Sequence, residues 1–541
     1  MMVAYRLGHA IGGAILLLAM SFCGIEAPTE SLLEGAQTFY LDSEGGDDSH
    51  CGLHPDTAWR TLEPLDGQTL LPGTRVLLKA GSVFEGHLNL SGQGNSEAPI
   101  ELGKYGEGPL PKIVGQGRPY AMHPNGEIMT ATIRLDNVAH WIIRDLAITH
   151  PLPERGFVWG LFINADGGGH YADLTLRGLH VHSVSGSVRR GGAPAGIGLR
   201  LGRNTAFDGV LIEDCYIHDV GFYGIVVDGW LNRNRARGDY FPSRNVVIRN
   251  NLLHDIIGDG IVPIICEAPL VEHNEVHRHT LNQTMGEQEH AAGIWPFGCD
   301  DAHIRYNRVM GGRGVHDGEA YNVDNDNRNA VIEYNYSQNN GGGFLLMCTF
   351  EEEDEERLST GTVVRYNVSI NDGYQPWGRN NVNVGEVEQA VIENNIFAFT
   401  LPGEVVFTNC WDYDQGMWAR DITFRRNLIY SLADTLRFNW GEAEDIRLDG
   451  NFYWGVFDEN WNKKDPDGVA VDPQFADIQA GDFRLPFDSP VFAHGFRPFS
   501  VAGAGLTADS SWLRERDASL ERNPEEWAVP IPKGYFETCT P

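Results

Sequence analysis

Residues 330–340 read AVIEYNYSQNN, and the apolar run GGGFLLMC follows at 341–348. A short alternating stretch ends on Asn335, a second short stretch follows, and a polar turn leads into a third. The same order, apolar–charged–X–Asn, returns at Ile248 to Asn251, Val271 to Asn274, Ile304 to Asn307 and Ile332 to Asn335. It continues at Val364 to Asn367, Ile392 to Asn395, Phe424 to Asn427 and Leu448 to Asn451. Earlier copies put Leu146, Leu179 and Cys215 in the Asn slot, and successive copies lie 23 to 36 residues apart.

A unit this short cannot bury its apolar side alone, but stacked copies can. Helical solenoids do not fit, because the apolar residues alternate over four to six positions and Gly, Asn and Asp interrupt every run. One Asn per copy at a fixed turn suits a stacked ladder of buried amides, each bonded to its neighbours. The reading is an all-β parallel β-helix. A β-propeller, with blades near 40 residues, fits the spacing less well.

The composition agrees with a soluble chain: 541 residues, 64 glycines and a formal net charge of −33. That charge argues against nucleic acid or an anionic membrane as partner, and mildly against a polyanionic substrate. Residues 1–27 read as a secretory signal peptide, with Arg6 and His9 before the apolar run Ala10–Met20. We expect a monomeric secreted or periplasmic protein without a membrane span. Lipid anchoring at Cys23 is disfavoured by the bulky Phe22 before it. Export permits disulfides. Cys266 and Cys299 both sit eight before their ladder Asn, so they stack, either as a disulfide or as two thiols.

The sequence resembles the right-handed parallel β-helix proteins of the pectate-lyase-like superfamily. The resemblance rests on the opening segment (TFYLDSEGGDDSHCG and LLPGTRVLLKAGSVFEGHLNLSGQGNSEAPIELGKYG), the recurrent IxYNxS…N…GGGFLLMC, and the closing VDPQFADIQAGDFRLPFDSPVFAHG at 471–495. It implies an N-terminal cap and first coils over 28–135, a β-helix body over 136–495 and a C-terminal tail over 496–541. The tail is expected to form a short helix followed by an extended arm. The resemblance also implies a secreted carbohydrate-active protein, but hydrolases, lyases, epimerases and adhesins share this fold.

Chemistry is expected in the stretch 312–327. His316, Asp317, Glu319, Asp324 and Asp326 lie within eleven residues there, beside Arg313. Asp324 and Asp326, read as two apart on one strand, would leave the same face. Crowded acids push at least one pKa up, so that one carboxyl donates a proton while another acts as base or nucleophile. Their separation would then set the outcome, retention near ~5 Å and inversion at roughly 6.5–9.5 Å. Asp324, Asp326, Glu319 and His316 are therefore the candidate catalytic residues. Glu289, His290, Trp295, Arg313 and Asp317 are candidates for substrate binding, Glu289 and Asp317 sharing a register 18 before Asn307 and Asn335. Trp377, Trp411 and Trp440 fall on the same loop side. The other readings of VDNDN are an Asx-rich turn capping a strand and a calcium site. The acidic run 351–356 reads as a solvated loop.

His182, His218, His254 and His277 each sit three after the ladder position. The same slot later holds Gln338, Ile370 and Tyr430, so these histidines read as a stacked ladder and not as ligands. No metal ligand set is assigned and no cofactor is expected beyond a possible calcium ion.

The leading expectation is a glycoside hydrolase that cleaves a polysaccharide or oligosaccharide with paired carboxylates. The alternative is a polysaccharide lyase with Arg313, His316 or Arg365 as base. The lysine-base version is disfavoured because no Lys occurs between Lys112 and Lys463. A non-catalytic glycan-binding β-helix is the third reading. No phosphate-cradling glycine loop, CxxC pair, HExxH or nucleophile elbow is present.

Overall fold

Residues 330–348 form one full coil. Val331–Glu333, Tyr336–Gln338 and Gly343–Cys348 are three successive strands, and each pairs in parallel with the matching strand of the coils before and after. The computed structural model describes residues 36–521 apart from 125, 152–155, 187–193, 236, 282–289, 315–316, 350–357, 374–379, 411–418, 442, 458–460 and 479–481. Among the described residues the first strand of each coil builds a sheet of 16 strands and the second a sheet of 14. The third builds sheets of 8 and 5 strands. Single bridges through Ile294 and Phe297 join these last two into one face. The stack begins at Thr38–Leu41, paired with Arg75–Lys79.

Short β-branched strands alternate inward and outward, so every coil sends two or three apolar side chains per face into one continuous core. Between the first and second strands a single residue turns the chain. Asn250, His273, Tyr306, Tyr334, Tyr366, Asn394 and Arg426 all take left-handed φ near +54° there (51° to 57° for the set with Asp214). The next residue is the ladder Asn. Asn335 accepts from the N–H and Nδ2 of Asn307 at 2.8 and 3.1 Å, and its own Nδ2 donates to Ile304 O and to Asn367 Oδ1 at 2.9 and 3.0 Å. The ladder starts with Cys215 N–H on Asn251 and ends with Asn451 on Asp465.

The charged position two before each Asn alternates in sign along the stack. Glu272 with Arg305, Glu333 with Arg365 and Glu393 with Arg425 are ion pairs at 2.7 to 2.9 Å on the outer face of the first sheet. Arg365, one of the candidate lyase bases, is thereby committed to Glu333.

A further ladder runs where the third strand returns to the first. Cys266 N–H donates to Cys299 Sγ (3.3 Å), Cys299 N–H to Asn327 Oδ1 (2.9 Å) and Asn327 N–H to Ser359 Oγ (3.3 Å). Cys266 and Cys299 are stacked thiols and not a disulfide. They stand where an amide or hydroxyl stands in the following coils. The histidine ladder is also present, on strands of the second sheet and not in turns: His182, His218, His254 and His277 pair in register.

The C-terminal segment folds back along the stack. Thr507 and Ser511 bond Asn250 and Asp214, Trp512 Nε1–H donates to Asp214 O, and the helix Leu513–Glu521 follows. The rest of the tail, the leader segment and Cys23 lie outside the described residues. No helix among the described residues is long and apolar enough to cross a membrane.

Candidate functional site

The outer face of the third sheet changes character along the stack. In the early coils it is covered by a second apolar layer of Trp159, Phe162, Tyr223, Val262, Trp295 and Phe297. Trp230 and Tyr240, from the loop between Asp228 and Ser243, pack against it. Trp295 belongs to this layer. It is 3% exposed, and its Nε1–H donates to Asp259 Oδ1 at 2.7 Å. The structure therefore corrects its reading as a sugar platform: the ring is packing, and its one polar atom is used internally.

From residue 319 onward the same face turns polar. We number the strands there β1 (Glu319–Asp324), β2 (Gly343–Cys348), β3 (Asn380–Val384), β4 (Glu404–Cys410) and β5 (Thr435–Asn439). Tyr321 and Val323 of β1 enter the core, which leaves Asn322 and Asp324 on the outside. Register aligns Asn322 with Leu346, Asn383, Asn409 and Asn439, and Asp324 with Cys348. Asn383 Nδ2 donates to Glu319 Oε1 at 3.0 Å and to Gly342 O at 3.2 Å, so Glu319 joins the same face.

The Cys348 thiol lies against Asp324. It donates to Asp324 Oδ1 at 3.3 Å. Burial pushes its pKa well above the usual thiol range, and the negative charges of Asp324, Asp317 and Glu319 push it further. Asp324 thus lies against the buried thiol, and the charges of Asp317 and Glu319 bear on it from the other end of the strand. Asp317 is also joined to His290, with Nδ1 to Oδ2 at 3.0 Å. The histidine side chain is 54% exposed against 12% for the aspartate, which places solvent on the His290 side.

Asp326 does not belong to this group. Strand β1 ends at Asp324, and Asn325 and Asp326 both take left-handed φ, 41° and 51°. The two aspartates are therefore not alternate residues of one strand, and the stretch is the Asx-rich turn. The Asp326 carboxylate meets Arg235 Nε at 2.7 Å and Arg328 Nη2 at 3.3 Å. Burial still pushes it above the usual carboxylate range, with the two guanidinium groups pulling the other way. Arg235 also holds Asp300 at 2.7 Å and lies 3.4 Å over the Tyr240 ring. Asp326 is a clamp for the covering loop.

Arg313 donates its backbone N–H to His279 O at 3.0 Å. Burial first, and the charge of Arg278 second, lower its pKa. Trp440 packs at the edge of the core under Lys464, whose Nζ is 4.9 Å from its ring. His316, Glu289, Trp377, Trp411 and the run 351–356 lie outside the described residues.

Sequence reasoning missed Asn322, Cys348, Asn383 and Arg235. The alternation NNVNV at 380–384 carried a signal for Asn383, because a polar residue between two core valines must face outward. Nothing local announces Arg235, 91 residues from the aspartate it holds.

Comparison with known proteins places this geometry in context. A sequence profile described as a right handed beta helix region matches residues 160–367. A lacto-N-biosidase of Bifidobacterium longum subsp. longum is 26% identical over 429 residues, covering 64% of this chain and 26% of its own length. The chain thus spans about a quarter of that relative. The crystal structure of a GH136 lacto-N-biosidase from Eubacterium ramulus superposes with a TM-score of 0.58 at 23% identity, over 76% of this chain and 68% of the other. With the parallel register of all three faces, these likenesses show that the chain folds as a right-handed parallel β-helix.

Proposed function

We propose that the protein is a secreted or periplasmic glycoside hydrolase that acts on an oligosaccharide, with Asp324 and Asp317 as its carboxyl pair. The observation that carries the reading is that Asp317, Glu319 and Asp324 lie along one strand and the turn before it, on the part of the sheet that, among the described residues, lies beyond the apolar layer. The S–H group of Cys348 donates to Asp324 Oδ1 and holds that carboxyl in place, as suits a nucleophile or a base that activates water. Asp317, joined to a largely exposed His290, suits the acid, because the imidazole links it to solvent protons. Glu319, bonded to Asn383, and Asn322 supply polar groups for sugar hydroxyls. Two carboxyls with different surroundings are what glycoside hydrolysis requires. The likeness to lacto-N-biosidases supports the hydrolase reading and suggests lacto-N-biose as the unit recognised.

The test is hydrolysis of an aryl lacto-N-bioside and of a polysaccharide panel by the full chain, with Asp324→Asn and Asp317→Asn beside it. Release of the aglycone, lost in both variants while circular dichroism is unchanged, is the expected result. An unsaturated product would replace the reading with a lyase, and activity that survives Asp324→Asn would remove this site. Binding without turnover in the wild type would make the protein a glycan-binding module.

A further inference from the structure

Away from the acid cluster, the second sheet presents three histidines that are more than members of a ladder. His180 and His182 are alternate residues of the strand His180–Val184, so both leave its outer face, and His218 follows on the next coil in register with His182. His180 Nε2 and His218 Nε2 stand 2.9 Å apart. One ligand nitrogen from each of the three rings lies within 4.8 Å of the other two. We propose that His180, His182 and His218 form a binding site for a divalent transition metal of the zinc class, separate from the carboxylate site.

The chemistry of the donors fits. Three imidazoles with one open position is an established zinc ligand set, with metal–nitrogen distances near ~2.1 Å and therefore nitrogen–nitrogen edges near ~3.4 Å. The His180–His218 separation is already shorter than that edge. The remaining ring, His182, is half-buried and reaches the third corner by a side-chain rotation. His218 Nδ1 is held by Asp219 Oδ2 at 2.7 Å, the carboxylate–histidine arrangement that fixes the tautomer with Nε2 free to coordinate. His182 Nδ1 is likewise occupied, by Ser183 Oγ at 3.1 Å. The ion would take the place of the single proton shared by His180 and His218, and His180 would carry its proton on Nδ1. Lys112, the cation bearing on His180 and His182, opposes the ion, and the Asp219 carboxylate offsets it.

The site ends the histidine ladder on one side only. His254, the next in register, gives Nδ1 to Asp255 and Nε2 to the Tyr216 hydroxyl, both at 2.7 to 2.8 Å, and so has no nitrogen left for a metal. Trp512 of the C-terminal segment lies over His180 at 5.7 Å between rings. A bound ion would tie two coils together beneath that segment.

The experiment is zinc titration of the untagged full chain after chelator treatment, by calorimetry and by elemental analysis, with cobalt as an optical reporter. One equivalent of zinc, a visible tetrahedral cobalt spectrum and a raised melting temperature are expected. His180→Gln and His218→Gln should abolish all three, His303→Gln should change none, and Asp219→Asn should weaken zinc binding by about 10- to 100-fold. Failure of the wild type to hold zinc, or equal binding by wild type and His218→Gln, would overturn the proposal. The wild-type titration decides the matter even where a variant folds poorly.

Discussion

The buried thiol of Cys348 donates to Oδ1 of Asp324 from the adjacent coil at 3.3 Å. Burial first and three carboxylates second keep that thiol protonated. Because only the thiolate attacks alkylating agents, native Cys348 should remain unmodified by iodoacetamide at pH 8, while the unfolded chain labels fully. Mass spectrometry of the peptide containing residue 348 checks this. Rapid labelling of the native protein would show that the thiol is not buried against Asp324 as described.

The two aspartates that looked equivalent in sequence should separate in experiment. Asp324→Asn should leave the melting temperature nearly unchanged and lower kcat by about 10²- to 10⁴-fold. Asp326→Asn should do the reverse. Arg235 would lose one charged partner and keep Asp300, so stability should fall by about 1.5–3 kcal/mol, with the activity of the folded fraction retained. Denaturant curves and initial rates on the same preparations distinguish the two, and an inactive but stable Asp326→Asn would return that residue to the site.

What separates those two residues also explains how far the sequence could be read. The fold was legible because the ladder Asn occupies the same slot in eight coils, always one residue after the left-handed turn. Register counted from it also stacked Cys266 on Cys299, and the structure extends that second ladder through Asn327 and Ser359, which likewise stand eight before their Asn. The site resisted the same counting, because loops of unequal length lie between the third strand and the next Asn. Val323 is twelve residues before Asn335, whereas its neighbour in the stack, Met347, is twenty before Asn367. Counting therefore could not place Cys348 beside Asp324 or Asn383 beside Glu319. The run of Asn and Asp at 324–327 showed both an acidic cluster and turn chemistry, and only the backbone distinguishes them.

The amide ladder predicts a graded cost of truncation. Asn335→Ala removes the acceptor used by the Asn307 N–H and the donor used by Ile304 O, both buried in the middle of the stack. Each stranded group costs about 1–3 kcal/mol, and the lost side chain leaves a small cavity besides. Asn251→Ala, at the first step, strands fewer groups because Cys215 before it offers only its N–H and no side-chain amide. Urea midpoints should fall further for Asn335→Ala than for Asn251→Ala, and equal shifts would mean that the ladder does not act as a connected network.

A buried carboxyl outside the predicted stretch sets a pH dependence. Asp372 is fully buried and accepts from Ser369 Oγ at 2.7 Å, from Asn340 Nδ2 at 2.8 Å, and from Ser337 Oγ. Burial outweighs these donors and pushes its pKa up to about 7, from 3.8 when exposed. Between those values the folded chain keeps a proton that the unfolded chain releases. Stability should therefore be greatest below pH 4 as far as this group is concerned, and should decline toward pH 7 by on the order of 1 kcal/mol per pH unit. Asp372→Asn mimics the protonated form and lacks the titration. The stability of Asp372→Asn relative to wild type should then rise steadily from pH 4 to pH 7 and level off above it, as read from urea midpoints at matched ionic strength. A difference that stays constant across that range would mean that Asp372 is already ionised in the native state, with its hydroxyl and amide donors outweighing burial.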